Sequence, residues 1–162
     1  MSNKEFKQDD NLDTNTRLLI NLKSVPVKDI INEAIKVREN SYCPYSNYAV
    51  GACLIDKNGQ IYTGCNIENA AFGPSICAER TAFFKAVSEG VKEFKAIAIV
   101  GSPKGRIIDQ YAFPCGVCRQ VMMEFCNPEE FIVIVAKSDG EYKVYALSEL
   151  LPEGFGPSNI NN

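Results

Sequence analysis

The sequence predicts an α/β fold in which helices cover both faces of a β-sheet. Two segments, residues 96–100 and 131–136, are almost wholly apolar, as strands are when both faces of their sheet are covered. Two shorter strand patterns, residues 48–55 and 60–65, are joined by a turn sequence at residues 56–59 and predict a β-hairpin. Helical patterns lie before and between these strands, and this alternation favours a layered α/β domain.

The chain begins with a polar segment that precedes the first predicted helix. Residues 1–16 are rich in Asp, Asn and Lys, and we expect residues 1–23 to form a flexible extension. Ser24 and Pro26 then mark a helix start. Apolar residues follow at the spacing of an amphipathic helix, namely Val27, Ile30, Ile31, Ala34 and Ile35. The hairpin comes next, and a loop over residues 66–75 follows it.

Two more helices are predicted in the centre of the chain. The first runs from residue 77 to about residue 89 and ends at Gly90, a natural C-cap. After the apolar strand at 96–100 comes a loop over residues 101–113, and Cys115 begins the second helix. Its inner face carries Cys118, Val121, Met122 and Phe125.

The last part of the chain predicts one more strand and a short helical turn. The strand covers residues 142–145 after the apolar strand at 131–136, and the turn covers residues 148–151. The sequence contains no internal repeat and no interdomain linker. We therefore expect residues 24–162 to form a single domain.

The composition fits a globular domain of the cytoplasm. Hydrophobic residues make up 46% of the chain and charged residues 23%. A net charge of -3 offers no basic surface for a phosphate backbone, so we expect no nucleic-acid partner. No apolar run approaches the roughly 20 residues that cross a bilayer, so we expect no membrane partner. Seven cysteines behind a polar, acidic N-terminus predict metal binding in a reducing cytosol over disulfides.

The absence of histidine limits the chemistry that the chain can perform. It excludes Ser-His and Cys-His nucleophiles, histidine-ligated metals and histidine proton shuttles. Acid–base chemistry near neutral pH must then come from a carboxylate, Lys, Tyr or Cys.

Three cysteines and one glutamate form the strongest functional pattern. Cys77-Ala78-Glu79 and Pro114-Cys115-Gly116-Val117-Cys118 match the signature of zinc deaminases in its three-cysteine form. Three protein ligands leave a fourth zinc position open for water, and such a site lowers the pKa of that water to about 7. The Glu79 carboxylate, two residues after the first ligand, can then move protons to and from it.

The predicted helix starts support this zinc site. Three thiolates and one Zn²⁺ carry a net negative charge, which would weaken the activation of water. Helix N-termini at Cys77 and Cys115 can offset that charge, and Arg80 is close enough in sequence to help. Residues two apart face in different directions on a regular helix, so Cys77 and Glu79 can reach one metal only at a helix end.

Three other interpretations of the cysteines were weighed. Cys43, Cys53, Cys65 and Cys126 lack ligand spacing and are interpreted as small buried hydrophobic residues. A redox Cys-x-x-Cys pair would not require Cys77-Ala78-Glu79 at a second helix start. A structural zinc module would need a fourth protein ligand, and none stands out by spacing.

From about residue 27 to residue 155 the chain resembles the cytidine deaminases of the small homotetrameric type. The matching blocks, in order, are residues 44–52, 64–70, 77–82, 114–121 and 149–152. The resemblance implies a three-layer α/β/α sandwich with a five-stranded mixed sheet and one zinc ion per chain. It also implies hydrolytic deamination of cytidine and 2′-deoxycytidine in pyrimidine salvage. A deaminase of another aminopyrimidine nucleoside, such as a nucleoside antibiotic, is the alternative.

The resemblance further implies the roles of individual residues. Cys77, Cys115 and Cys118 would be the zinc ligands and Glu79 the proton shuttle. Arg80 would hydrogen-bond the ligand sulfurs. Contacts to the substrate would come from Tyr48, Asn66, Glu68, Ala78 and Phe155.

Within this set, Asn66 and Glu68 would bind the ribose hydroxyls. Phe155 would reach the active site of a neighbouring subunit in a homotetramer. The chain departs from the family pattern at Tyr48, Phe72 and Phe113, where Phe, Tyr and Ser are usual, and its loop over residues 101–113 is somewhat long.

Overall fold

The computed structural model describes residues 13–160, and its centre is one five-stranded sheet. The strands are β1 (Tyr48–Asp56), β2 (Ile61–Cys65), β3 (Phe94–Pro103), β4 (Ile132–Ala136) and β5 (Tyr142–Ala146). Their order across the sheet is β2-β1-β3-β4-β5. Strands β3 and β4 are parallel, and the other neighbouring pairs are antiparallel. The predicted five-stranded mixed sheet is thus confirmed.

Five α-helices connect or flank these strands. They are α1 (Thr14–Leu22), α2 (Val27–Arg38), α3 (Ala78–Ser88), α4 (Gly116–Phe125) and α5 (Leu147–Leu150), and a 3-10 turn follows at Pro157–Asn159. The helices predicted after residue 24 are all present, and the predicted bounds of α3 and α5 lie within one residue of the observed ones. Over residues 13–160, no helix combines the length and the apolar character that crossing a membrane requires.

Alternate residues of the central strands enter two separate apolar cores, one on each face of the sheet. On β3, Ile97 and Ile99 face the core that contains Phe83 of α3 and Met122 of α4. The intervening residues Ala96, Ala98 and Val100 face a second core built with Ile30 and Ile31 of α2 and Leu18 of α1. Because side chains alternate along a strand, the two cores define three layers, and the α/β/α sandwich is confirmed.

The prediction of a flexible extension over residues 1–23 is wrong for residues 14–22, which form α1. The Asp13 carboxylate caps this helix by accepting hydrogen bonds from the Thr16 N–H at 3.0 Å and the Thr16 hydroxyl at 2.7 Å. Leu18 is buried in the core beneath it, and the Thr14 hydroxyl donates to Glu129 at 2.9 Å. This helix is difficult to recognise in the sequence because it begins in a polar segment and does not show the long apolar face of a core helix. Leu18 is its one buried residue. Residues 1–12 of the predicted extension lie outside the described residues.

A close approach of helix to strand fixes the position of α3. A Cβ at Gly64 of β2 would lie 2.4 Å from the Ala78 carbonyl oxygen and 2.5 Å from the Ala82 nitrogen. Only glycine permits this contact, which seats the first turn of α3 directly on the sheet. The residues at the start of α3 are therefore held at a defined place beside β2.

Candidate active site

Three cysteine side chains meet where α3 and α4 begin. Cys77 is the N-cap of α3, Cys115 is the N-cap of α4, and Cys118 lies in the first turn of α4. The Sγ atoms of Cys77 and Cys115 are 3.8 Å apart, and those of Cys115 and Cys118 are 3.6 Å apart. The predicted placement of these cysteines at helix starts is confirmed.

The geometry of the three thiols fits one zinc ion. All three Sγ atoms lie within 4.8 Å of one another. Sulfur ligands at about 2.3 Å from a tetrahedral zinc lie about 3.8 Å apart, close to the distances found here. Within residues 13–160 these cysteines are the one group of three or more potential ligands close enough to share an ion, so no fourth protein ligand joins them. Such a site keeps a position open for water or substrate.

Arg80 and the neighbouring thiols stabilise negative charge at Cys77. A hydrogen bond from the Cys118 thiol is the main cause that lowers the pKa of Cys77 to about 5. Nη2 of Arg80 also donates to the Cys77 sulfur at 3.4 Å. The same coupling to Cys77 raises the pKa of Cys118 above its ordinary value. In the metal-free cluster, Cys77 is thus ionised more readily than Cys118.

Glu79 is a buried carboxyl group beside the thiol cluster. It lies in the first turn of α3 with 4% of its surface exposed. Burial raises the pKa of Glu79 to about 7, because a charged carboxylate loses hydration inside the protein. Glu79 can therefore gain or lose a proton near neutral pH in a chain that has no histidine.

A cavity of about 570 Å³ contains the site. Its lining includes Cys77, Cys115 and Glu79 together with Asn66 and Glu68. Two of the three thiols, the carboxyl group and the predicted ribose-binding pair therefore line one cavity. A cavity of this size matches the usual range for small-molecule sites.

Backbone contacts hold the Asn66 and Glu68 side chains in place. The Asn66 side chain accepts a hydrogen bond from the Val50 N–H at 2.9 Å and donates one to the Tyr48 carbonyl at 2.8 Å. Oε2 of Glu68 accepts from the N–H groups of Tyr45 at 2.9 Å and Ser46 at 3.2 Å. A hydrogen bond with the Ser46 side chain is the main cause that lowers the pKa of Glu68. Glu68 is thus held as a carboxylate, and both side chains retain capacity for a ligand.

Not all predicted substrate-contact residues line this cavity. Tyr48 does, but Ala78 is buried at the start of α3 and is not part of the lining. Phe155 lies beyond α5 with 61% of its surface exposed, and it is not part of the lining either. The Phe155 carbonyl accepts a hydrogen bond from Gln120 of α4 at 2.8 Å. Within one chain, its ring stays outside the cavity.

The cavity also has lining residues that were not predicted. Tyr111, Ala112 and Phe113 come from the segment between β3 and α4. A Cβ at Gly101 of β3 would lie 2.8 Å from the Ala112 Cβ and 3.0 Å from the Tyr48 ring. Ala112 and Tyr48 therefore both pack closely on this glycine, which has no side chain to separate them from the strand. The sequence feature that could have indicated this part of the lining is the position of Phe113, two residues before Cys115.

This fold, with three thiols at two helix starts and a buried glutamate, defines the class of zinc deaminases. Residues 26–135 match the family model for the cytidine and deoxycytidylate deaminase zinc-binding region, and the chain belongs to this family. Zinc is therefore its cofactor.

Comparison with individual proteins agrees with this assignment. A cytidine deaminase of Sporosarcina psychrophila is 45% identical over 135 residues, which is 83% of this chain and 95% of the relative. One from Halalkalibacterium halodurans is 45% identical over 133 residues, or 82% and 96% of the two chains. The crystal structure of cytidine deaminase from Burkholderia pseudomallei has a TM-score of 0.72 and 41% identity, and the match covers 81% of this chain and 100% of that one.

Proposed function

We propose that this chain catalyses the hydrolytic deamination of cytidine and 2′-deoxycytidine to uridine and 2′-deoxyuridine, with release of ammonia. The observation that carries the proposal is a buried glutamate with a pKa of about 7, in one cavity with two of the three clustered thiols and with Asn66 and Glu68. Relatives that are 45% identical are named cytidine deaminases, so another aminopyrimidine nucleoside is not favoured as the substrate.

Cys77, Cys115 and Cys118 would hold the zinc ion. When bound, zinc lowers the pKa of a coordinated water to about 7 and so supplies a nucleophile at neutral pH. The hydrogen bond from Arg80 to the Cys77 sulfur offsets part of the negative charge of three thiolates. The N-termini of α3 and α4 act in the same direction.

Glu79 performs the proton transfers of the reaction. It takes a proton from the attacking water and delivers it to N3 of the cytosine ring while the oxygen adds to C4. It then moves a proton to the amino group, which leaves as ammonia. A carboxyl group whose pKa lies near 7 suits both directions of transfer. General acid–base catalysis of this kind contributes roughly 100- to 10,000-fold in rate.

Asn66 and Glu68 bind the sugar. The hydroxyls of ribose are donors, which the Glu68 carboxylate and the Asn66 amide oxygen can accept. Because backbone hydrogen bonds already fix both side chains, little conformational entropy is lost on binding. This pair favours a nucleoside over the free base.

The enzyme functions as a homotetramer whose active sites are completed across subunits, in the cytoplasm. Several large apolar side chains are exposed in a single chain, among them Phe72, Val117 and Phe155. Phe155 does not reach the cavity of its own chain, which leaves it available to a neighbour's. All seven cysteines are free, which agrees with a reducing compartment.

An ultraviolet assay of cytidine loss, combined with zinc content per chain, tests the function. Cytidine, 2′-deoxycytidine, cytosine and deoxycytidylate are compared under the same conditions. We expect turnover of both nucleosides by protein that carries one zinc per chain, and little turnover of cytosine. Fully zinc-loaded protein that converts neither nucleoside would contradict the proposal.

A further inference from the structure

Two aromatic side chains that the proposed reaction does not use line the substrate cavity. Tyr111 and Phe113 belong to the segment between β3 and α4, four and two residues before Cys115 respectively. Phe113 is 44% exposed although it borders the cavity, so its ring lies where the cavity opens to solvent. The chain itself leaves much of this apolar ring in water. A ligand that packs on the ring would bury that surface, which favours binding.

Contacts from the β4–β5 hairpin hold the Tyr111 ring. The ammonium groups of Lys137 and Lys143 lie 4.6 Å and 4.7 Å from the ring centroid. The Tyr111 hydroxyl donates a hydrogen bond to Glu141 of the hairpin turn. These contacts restrain both the plane and the tip of the ring.

Phe113 is held by the same hairpin. Its ring meets Tyr145 of β5 edge to face, with the ring centroids 5.6 Å apart. Upstream, the Ile108 carbonyl accepts hydrogen bonds from the N–H of Ser138 at 2.9 Å and from its hydroxyl at 3.1 Å. The segment is thus anchored to one edge of the sheet before it enters the cavity wall. A ring fixed before binding costs less entropy when a ligand packs on it.

The position of the two rings selects the part of the substrate that they contact. Phe113 is two residues from Cys115, and both line the cavity together with Glu79. The proton transfers by Glu79 require the base to lie there, and the apolar residues Ile99 and Ala112 share this lining. A pyrimidine ring has two flat faces that an aromatic side chain can cover.

We propose that Tyr111 and Phe113 form an aromatic wall on which the pyrimidine ring packs, and that Phe113 sets the affinity for the base. This inference rests on the proposed function and adds to it a base contact supplied by the same chain. It differs from a purely structural role, in which Phe113 would only pack on Tyr145.

Steady-state kinetics of Phe113→Ala separates the two roles. Loss of a stacked ring removes binding that ground state and transition state share, so KM rises while kcat changes little. We expect KM for cytidine to rise about 5- to 50-fold, with zinc content unchanged. Phe113→Tyr keeps the ring and should restore KM to within about threefold of the parent value.

Ile107→Ala is the matched control. Ile107 lies in the same segment and is 74% exposed, but it does not line the substrate cavity. Its KM should equal that of the parent. An unchanged KM in Phe113→Ala, or an equal rise in Ile107→Ala, would overturn the inference. If Phe113→Ala does not fold, Phe113→Leu replaces it, and an unchanged KM in that variant also counts against the wall.

Calorimetric binding of uridine distinguishes this inference from the proposed function. If the parent protein binds uridine with a dependence on Phe113 but does not deaminate cytidine, the function is wrong and the aromatic wall stands. If the parent deaminates cytidine while Phe113→Ala binds uridine with parent affinity, the wall is wrong and the function stands. A parent protein that binds no uridine overturns the wall.

Discussion

Glu79 shows how a single buried side chain can replace the titratable group that many enzymes take from histidine. An exposed glutamate would be ionised at neutral pH and a poor proton donor. Burial in the first turn of α3 raises the pKa of this carboxyl to about 7. Its environment, more than its residue type, therefore makes it suited to acid–base catalysis.

Replacing Glu79 with glutamine tests its role as the proton carrier. The amide has nearly the same shape but cannot shuttle protons, so we expect kcat to fall roughly 100- to 10,000-fold. Zinc content should stay at the parent level. Glu89→Gln, at the exposed C-terminal end of α3, is the control and should keep full activity. Near-normal turnover in zinc-loaded Glu79→Gln would rule out the mechanism.

The same carboxyl group predicts a pH dependence of stability in the zinc-free protein. The pKa of Glu79 is about 7 in the folded chain, above its ordinary value of 4.5, so the folded state binds the proton more tightly. The contribution of Glu79 to the free energy of unfolding should therefore decrease as pH rises from about 4.5 to about 7. The full effect is roughly 3 kcal/mol at 1.36 kcal/mol per pKa unit. Ionisation of Cys77, whose pKa is about 5, acts in the opposite direction in both proteins. Urea unfolding should therefore show that the difference in stability between the parent and Glu79→Gln falls as pH rises across this range.

Removal of one proposed ligand tests the zinc site. Cys118→Ala should lose most of the bound zinc and all measurable turnover, because two thiols hold the ion poorly. It should also unfold at a lower temperature, since metal binding contributes to folding free energy. Cys126→Ala removes a cysteine outside the cluster and should retain zinc. Metal analysis of both variants measures the zinc bound per chain. A Cys118→Ala protein that still carries one zinc per chain would mean that Cys118 is not a ligand.

At the scale of residues, the sequence predicts the metal-binding cysteines better than the residues that line the rest of the cavity. Cys77, Cys115 and Cys118 have a spacing that only a metal site explains, and they meet as predicted. Tyr111 and Phe113 have no such pattern. Their place in the cavity depends on the path of a loop that Ser138 and Tyr145 hold from another part of the chain.

At the scale of elements, α1 adds a helix outside residues 26–135, the part of the chain that the family model matches. It packs on the face of the sheet that also carries α2, with Leu18 in the shared core. Asn21 at its end donates to the Glu130 carbonyl at 3.4 Å. Helix α1 therefore extends the outer layer toward β4 and β5.

Leu18→Ala tests whether α1 contributes to stability. The side chain is 8% exposed, so its truncation should lower the free energy of unfolding by about 2 kcal/mol. Leu19→Ala changes the neighbouring residue, which is 63% exposed, and should have an effect below about 0.5 kcal/mol. Urea denaturation of the two variants gives both values. Equal stability would show that α1 does not pack as described.

Strand β3 shows why the ends of elements are difficult to predict. The sequence predicts a strand over residues 96–100, yet β3 continues to Pro103. Gly101 and Ser102 resemble loop residues, but they pair with Val50 and Ala49 of β1. The buried Ser102 hydroxyl also accepts a hydrogen bond from Arg38 at 2.6 Å. These partners are distant in sequence, so local patterns do not reveal them.

At the scale of the whole molecule, the exposed C-terminal segment predicts assembly. Light scattering should give about four times the 17.9 kDa mass of one chain. Phe155→Ala should raise KM for cytidine several-fold, because the ring is proposed to complete a neighbour's cavity. Ile160→Ala alters another exposed residue of the same segment and should leave KM unchanged. A fully active monomer, or parent KM in Phe155→Ala, would remove the support for shared sites.

The layered architecture follows from the sequence, whereas the order of the strands does not. Apolar segments at 96–100 and 131–136 predict a sheet covered on both faces, and two cores are found there. The insertion of β1 between β2 and β3 depends on which strand edges meet. An apolar strand such as β4 can pair equally well with several neighbours, so its place must come from the resemblance or the structure.

The meeting of two helix starts at one thiol cluster has a consequence for how the chain acquires its metal. Cys77 and Cys115 are 38 positions apart, so a zinc ion that they hold would connect two helices that emerge from the ribosome at different times. An ion captured by Cys77 alone would be held weakly, and tight capture requires α4 to be synthesised and docked. The bound ion then closes a loop that contains all of β3, which reduces the conformational freedom of any partly unfolded chain. Tight zinc binding would thus require α4 to be in place, and the bound ion would stabilise the centre of the sheet.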